Sequence, residues 1–147
     1  MNLAAIDIGS NAVRLFFAHV YQQQERIIAE KTSLVRVPLR LGKEVFETRI
    51  VPDEKIKALI KTMTAFRLLI EVNRPLAYRA FATAALREAD NSTRVIEQIA
   101  AESGIRIEVI DGQTEAAMLA SLEGLQTPVR AETLMFIDVG GGSTEIS

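Results

Sequence analysis

Two stretches of this sequence combine residues suited to holding phosphate. Near the start, LAAIDIGSN runs from an apolar segment into Asp7, Gly9, Ser10 and Asn11. Near the end, LMFIDVGGGSTE repeats the pattern with Asp138, Gly140, Gly141, Gly142, Ser143, Thr144 and Glu145. Glycine lets backbone N–H groups approach an anion closely because no Cβ intervenes, and successive amides make a concave anion-binding surface. Residues 140–144 therefore read as a phosphate cradle with two hydroxyls, and residues 9–11 as a smaller one. The aspartate ahead of each loop sits at a strand end, where its oxygens could bind Mg2+ directly or through water. Two such hairpins facing across a cleft could grip a chain of phosphates. Each Asp-x-Gly taken singly is also ordinary turn chemistry; the pair favours the phosphate reading.

The elements that must position these loops follow from periodicity. Leu3–Ile8 is a short apolar run stopped by Gly9-Ser10-Asn11, a buried strand entering a tight loop. Val13–Tyr21 reads as a second strand in a hairpin with the first, Gln22–Gln24 as a polar turn, and Arg26–Val37 as a third strand. The segment from Arg36 to Glu47, punctuated by Pro38 and Gly42, reads as strand ending in loop. Pro52-Asp53-Glu54 opens a helix whose Ile56, Leu59, Ile60, Met63, Phe66 and Ile70 share one face. Leu76–Thr83 is a strand. Asn91 caps a second helix that buries Val95, Ile96, Ile99 and Ala100 and ends at Gly104. Ile105–Ile110 alternates as a strand. Asp111 or Gly112 then starts a third helix with Met118, Leu119, Leu122 and Leu125 inward. The order is βββαβαβα with a fresh strand at Leu134–Val139, which predicts an α/β fold: a mixed five-stranded sheet with packed helices. Asp7 and Asp138 lie 131 positions apart, about one domain. The expectation is an internal duplication, of which the chain carries the first copy and the opening of the second.

Composition narrows the function classes. The 147 residues are enough for one domain with a real core. The sequence is 48% hydrophobic and 24% charged, with a net charge of -2, which gives no general attraction for nucleic acid or an anionic membrane. No cysteine is present, so disulfides and thiolate zinc sites are excluded. No run approaches the roughly 20 apolar residues of a membrane span, and no signal-peptide pattern opens the chain; a cytoplasmic location is expected. His19, the only histidine, falls inside the second strand and reads as structural, which leaves no Ser-His-Asp triad.

DIGSNAVRL, ATAALREADN, IDGQTEA and DVGGGSTEIS occur in this order, and in them the chain resembles the exopolyphosphatase/guanosine pentaphosphate phosphohydrolase (Ppx/GppA) family of the actin, sugar kinase and Hsp70 superfamily. The resemblance covers essentially the whole chain. It implies a ribonuclease H-like (actin-like ATPase) domain over residues 1–130, with residues 131–147 the first strand and phosphate loop of a second domain. It implies release of terminal orthophosphate from inorganic polyphosphate, or of the 5′-terminal phosphate of guanosine pentaphosphate, with (p)ppGpp as ligand, Mg2+ or another divalent cation as cofactor, and a homodimer.

Roles carry over by position. Glu115 matches the general base on the attacking water, and Arg87 an arginine that holds phosphate. Ser10, Asn11, Gly141, Gly142, Ser143 and Thr144 match the phosphate loops. Asp138 and Glu145 match acids near the metal and the lytic water, with Asp7 facing them; Arg14 reads as a support of the hairpin. Without the resemblance, Glu115 would be an ordinary glutamate at a helix start and Arg87 a solvated arginine. Two positions depart from the family pattern: Thr114 stands where a second glutamate is usual, and Ala12 where a serine is common.

The competing class is a nucleotide-driven actin- or Hsp70-like ATPase, whose relatives carry Asp-x-Gly-Thr-Thr and Gly-Gly-Gly-Thr-x-Asp. Glu145 and the ATAALR segment argue for the phosphatase side. A third reading makes residues 1–147 a folding or interaction module. The cleft needs both domains, so the expectation is that residues 1–147 alone are inactive. Strand 134–147, apart from its sheet, is expected to fray or to pair with another chain, giving dimers by strand exchange.

Overall fold

A computed structural model describes residues 1–24, 26–123, 137–139 and 144–146, with backbone alone for 119–123 and the last two segments. Three strands open the chain: β1 (Asn2–Ile8), β2 (Val13–Gln23) and β3 (Arg26–Val37). Helices α1 (Leu41–Thr48) and α2 (Asp53–Asn73) lead to β4 (Ala77–Ala82). Then come α3 (Ala84–Glu88), α4 (Ser92–Ser103), β5 (Glu108–Val109) and α5 (Gly112–Glu123). The last elements are β6 (Ile137–Val139) and β7 (Thr144–Ile146).

The first five strands form one sheet in the order β3-β2-β1-β4-β5. β1 pairs antiparallel with β2, and β2 with β3, whereas β1–β4 and β4–β5 are parallel. This is the expected mixed five-stranded α/β architecture. β6 and β7 form a separate antiparallel pair.

Alternation in β1 and β2 explains the core. Ala4, Ile6 and Ile8 point to one face beside Val13, Leu15 and Phe17, and all six are buried. Against them pack Ile56, Leu59, Ile60, Met63, Phe66 and Ile70 of α2, joined by Val95 and Ile99 of α4. Each such side chain contributes about 1.5–3 kcal/mol on leaving water, which fastens the helices to one side of the sheet.

Four expectations need correction. Residues 41–48 are helix α1, not loop: Leu41 and Val45 lie one turn apart and are fully buried, and that burial outweighs the poor helix propensity of Gly42. β5 is two residues long rather than six, because Ile105 is pulled into the core and its N–H is held by Ser103 Oγ at 3.2 Å. Asn91 stands at the start of α4 without a side-chain cap bond; its amide instead donates to the Val51 carbonyl (2.9 Å) and accepts from the Val51 N–H (3.0 Å). Met118 is 38% exposed rather than inward, on a helix that lies beside β7. The side chains of Leu119 and Leu122, and Leu125 itself, lie outside the described residues. His19 meets the structural expectation, its Nδ1 lying 2.8 Å from Asn2 Oδ1 on the neighbouring strand.

Candidate active site

The three parallel strands β1, β4 and β5 end at one edge of the sheet, and each delivers one part of the candidate site there. The Thr83 N–H donates to the Ile8 carbonyl (3.3 Å) and the Ile110 N–H to the Ala82 carbonyl (3.0 Å), so the strand ends stay side by side. In open α/β sheets ligands bind outside the carboxyl ends of the strands.

From β1 comes loop 9–12, the first of the two expected phosphate loops. It closes on itself through Gly9 N–H to the Ala12 carbonyl at 3.1 Å. The start of α1 then anchors it, with Arg40 N–H donating to the Asn11 carbonyl and Gly42 N–H to the Ser10 carbonyl, both at 2.9 Å. Glycine at 42 is what permits this approach: a Cβ there would stand 2.8 Å from Ser10 Cβ and 2.6 Å from Phe46 Cε2. Ser10 is buried and Asn11 exposed.

From β4 comes Arg87, in the last turn of α3, a helix whose Ala84, Ala85 and Leu86 are buried. Arg87 Nη1 donates to the Ile110 carbonyl at 3.1 Å, tying α3 to the end of β5. From β5 comes Glu115, in the first turn of α5. Its Oε2 lies 3.7 Å from the same Arg87 nitrogen, and about a quarter of each side chain is exposed. The two residues expected to act on phosphate and water are therefore neighbours in an open, half-buried corner.

Asp111 starts α5 as expected. Its Oδ1 accepts from Thr114 N–H at 2.7 Å and its carbonyl from Glu115 N–H at 3.0 Å. The Thr114 N–H, then the Thr114 hydroxyl, and further the positive charge of Arg87 and the Gln113 N–H, hold its carboxyl below the usual range, against a smaller upward push from burial.

Asp7 and Arg14 are opposite each other in the β1–β2 register, and Arg14 Nη1 donates to Asp7 Oδ2 at 2.6 Å. Arg14 is thus the hairpin support it was read as. Among the described residues no three His, Cys, Asp or Glu gather where they could hold a metal. Asp138 and Glu145 occupy opposite register positions on β6 and β7, next to the Val139–Thr144 pair. Carboxylates alone are the donor chemistry of a hard divalent cation such as Mg2+, and the three acids fit it in kind. Gly141, Gly142 and Ser143 lie outside the described residues, and Thr144 opens β7.

A profile of the Ppx/GppA phosphatase family matches residues 20–147. The chain belongs to the Ppx/GppA phosphatase family. It is 30% identical over 149 residues to a bifunctional 3-dehydroquinate synthase/phosphatase of Fusobacterium nucleatum, covering 98% of this chain and 22% of that protein. It is 27% identical to exopolyphosphatase 1 of Mycobacterium leprae across 100% of this chain and 42% of that one. The crystal structure of the Aquifex aeolicus Ppx/GppA phosphatase superposes with a TM-score of 0.81 at 30% identity, over 99% of this chain and 47% of that one. An exopolyphosphatase from Cytophaga hutchinsonii shares the fold, with a TM-score of 0.86 at 24% identity and coverage of 99% and 46%. The chain thus spans less than half the length of each of these four relatives. The fold is that of this family's actin-like domain.

One feature of the candidate site lay within reach of the motifs and one did not. The Asp7–Arg14 pair was readable, because a four-residue loop joining Ile8 to Val13 puts Asp7 opposite Arg14. The link from Arg87 to the Ile110 backbone had no signal in the sequence, since it depends on how α3 packs.

Proposed function

We propose that the protein containing this chain hydrolyses phosphoanhydride bonds, releasing terminal orthophosphate from inorganic polyphosphate. The observation that carries this reading is the convergence of loop 9–12, Arg87 and Glu115 at the carboxyl edge of three parallel strands. Glu115 takes the proton of a water attacking the terminal phosphorus and orients that water in line. Arg87, already beside it, offers a guanidinium fork to the equatorial oxygens as charge builds on them, while the backbone amides of Ser10 and Asn11 and the Ser10 hydroxyl hold the phosphate still. Positioning and neutralisation are the main work in phosphoryl transfer.

Residues 131–147 form the opening of a second domain in this reading, bringing Gly141, Gly142, Ser143 and Thr144 to the far side of the phosphates. The separate β6–β7 pairing and the greater length of the relatives support it. Asp138 and Glu145, with Asp7, would hold a divalent cation such as Mg2+, which when bound neutralises phosphate charge. Asp7 is the weakest of the three donors because Arg14 already balances it. No described helix is long and apolar enough to cross a membrane.

Guanosine pentaphosphate presents the same terminal bond and is also consistent with this edge; relatives named exopolyphosphatase favour the polymer. Phosphate release by the full-length protein from polyphosphate and from guanosine pentaphosphate tests the reading. Turnover of polyphosphate that Glu115→Gln abolishes is expected; failure on both substrates overturns it.

A further inference from the structure

The distance between Arg87 and Glu115 is set by the four residues between Ile110 and Glu115. Arg87 grips the carbonyl of Ile110, the residue just before Asp111. The Ile110 N–H is in turn held by Ala82, two residues ahead of α3. What fixes Glu115 relative to that point is Asp111, through its carboxylate on the Thr114 N–H and its carbonyl on the Glu115 N–H. We propose that Asp111 is a positioning residue for the reaction, aiming the Glu115 carboxylate at the attacking water.

The inference rests on the hydrolase reading above but concerns a residue that touches neither water nor phosphate. Three observations support it. An aspartate three positions before the accepted N–H is an effective helix N-cap, and the cap here immediately precedes the functional glutamate. The first turn of a helix frays when its cap is lost, and Glu115 lies in that turn. Arg87 is itself held at this corner by the carbonyl of Ile110, the residue next to Asp111. Loosening this corner displaces the base from its productive geometry, where a shift near 1 Å costs catalysis heavily.

The test uses the full-length protein with Asp111→Ala and Asp111→Asn, read in two ways. Hydrogen exchange at the Thr114 and Glu115 amides reports the cap without any turnover; Asp111→Ala is expected to speed it about fivefold, and Asp111→Asn to restore protection, since asparagine caps equally well. Steady-state release of phosphate from polyphosphate reports the aim. Here Asp111→Ala is expected to lower kcat about tenfold with KM within about twofold, and Asp111→Asn to recover most of the loss. Unchanged exchange in Asp111→Ala overturns the inference whatever the substrate proves to be. So does faster exchange with unchanged kcat, or a loss in KM alone. A wild-type protein that turns over neither polyphosphate nor guanosine pentaphosphate while Asp111→Ala still speeds exchange overturns the hydrolase reading and the catalytic role, but leaves the cap itself demonstrated.

Discussion

Arg87 and Glu115 stand 3.7 Å apart although 28 positions separate them, because α3 and α5 leave neighbouring parallel strands at the same edge. One guanidinium nitrogen serves both the Glu115 carboxylate and the Ile110 carbonyl. In the proposed reaction, a phosphate arriving at this corner would meet a cation that is already aimed and a base already beside it.

Removing either partner should therefore damage turnover more than folding. Glu115→Gln keeps the shape and removes the base, and kcat should fall about 10²–10⁴-fold. Arg87→Ala should lower kcat/KM about 10²–10³-fold by removing a charge-stabilising donor. Arg87→Lys should recover only part of this, because a lysine lacks the planar fork. Phosphate release measured beside thermal unfolding checks all three; activity within threefold of wild type in Glu115→Gln would remove it from the chemistry.

Loop 9–12 should prove as sensitive to α1 as to its own residues. Gly42→Ala places a methyl 2.8 Å from Ser10 Cβ, and Ser10 sits on a short backbone turn that yields little. Overpacking of this kind costs about 1–3 kcal/mol. A fall in Tm together with weaker binding of inorganic phosphate is the expected outcome. A Gly42→Ala protein with unchanged Tm and phosphate affinity would show that the loop is not braced from this side.

Much of this arrangement was legible in the sequence, and what was hidden has physical reasons. The alternation of Ala4, Ile6 and Ile8 and the helical stripe from Ile56 to Ile70 report burial directly, so β1 and α2 were readable. Helix α1 was masked by Pro38 and Gly42, residues that normally break helices, and by Arg40 at φ 54°, a left-handed turn that local pattern does not reveal. Asp111 could be read as a helix start from IDGQTEA; its link to Arg87 could not, because it runs through the Ile110 backbone. Asn91 was readable as a polar residue before a helix, yet the tertiary demand of buried Val51 redirected its side chain.

Acid should weaken the β5–α5 corner in a way traceable to one group. The carboxyl of Asp111 titrates below its usual value of 3.8 in the folded protein, chiefly because of the Thr114 N–H. A group with a depressed folded value contributes stability above its unfolded pKa and loses it as pH falls through the folded one. The contribution is therefore complete at neutral pH and disappears on acidification below about pH 3.8. Asp111→Asn should flatten that part of the stability curve and leave the neutral plateau nearly unchanged. Identical acid limbs for the two proteins in denaturant titrations would contradict the assignment.

Arg74 ends α2 with φ 47°, a left-handed conformation that a side chain resists, while its N–H caps the helix on the Ile70 carbonyl at 2.8 Å. Glycine adopts that conformation freely. Arg74→Gly should stabilise the protein by about 0.5–1 kcal/mol, with the cap bond kept. Urea unfolding should show the midpoint rising at constant slope; a lower midpoint would mean that the arginine side chain contributes more than its strain costs.

Asn91 ties the α1–α2 connection to the end of α3 by two hydrogen bonds to the Val51 backbone, four residues past Arg87. Val51 is buried, so Asn91→Ala leaves an N–H and a carbonyl without partners at about 1–3 kcal/mol. Arg49 reinforces the same junction, its Nε donating to Asp90 Oδ1 at 3.0 Å and its carbonyl accepting from the Asp90 N–H at 2.8 Å. Loss of the clamp should free the C-terminal end of α3 and so blur the position of Arg87. Asn91→Ala is thus expected to lower both the unfolding midpoint and the affinity for inorganic phosphate, whereas Asn91→Asp, which keeps the acceptor for Val51 N–H and loses the donor, should fall between. If Asn91→Ala loses stability and yet binds phosphate as wild type does, α3 is held by its buried Ala84, Ala85 and Leu86 alone, and the clamp serves the fold without serving the site.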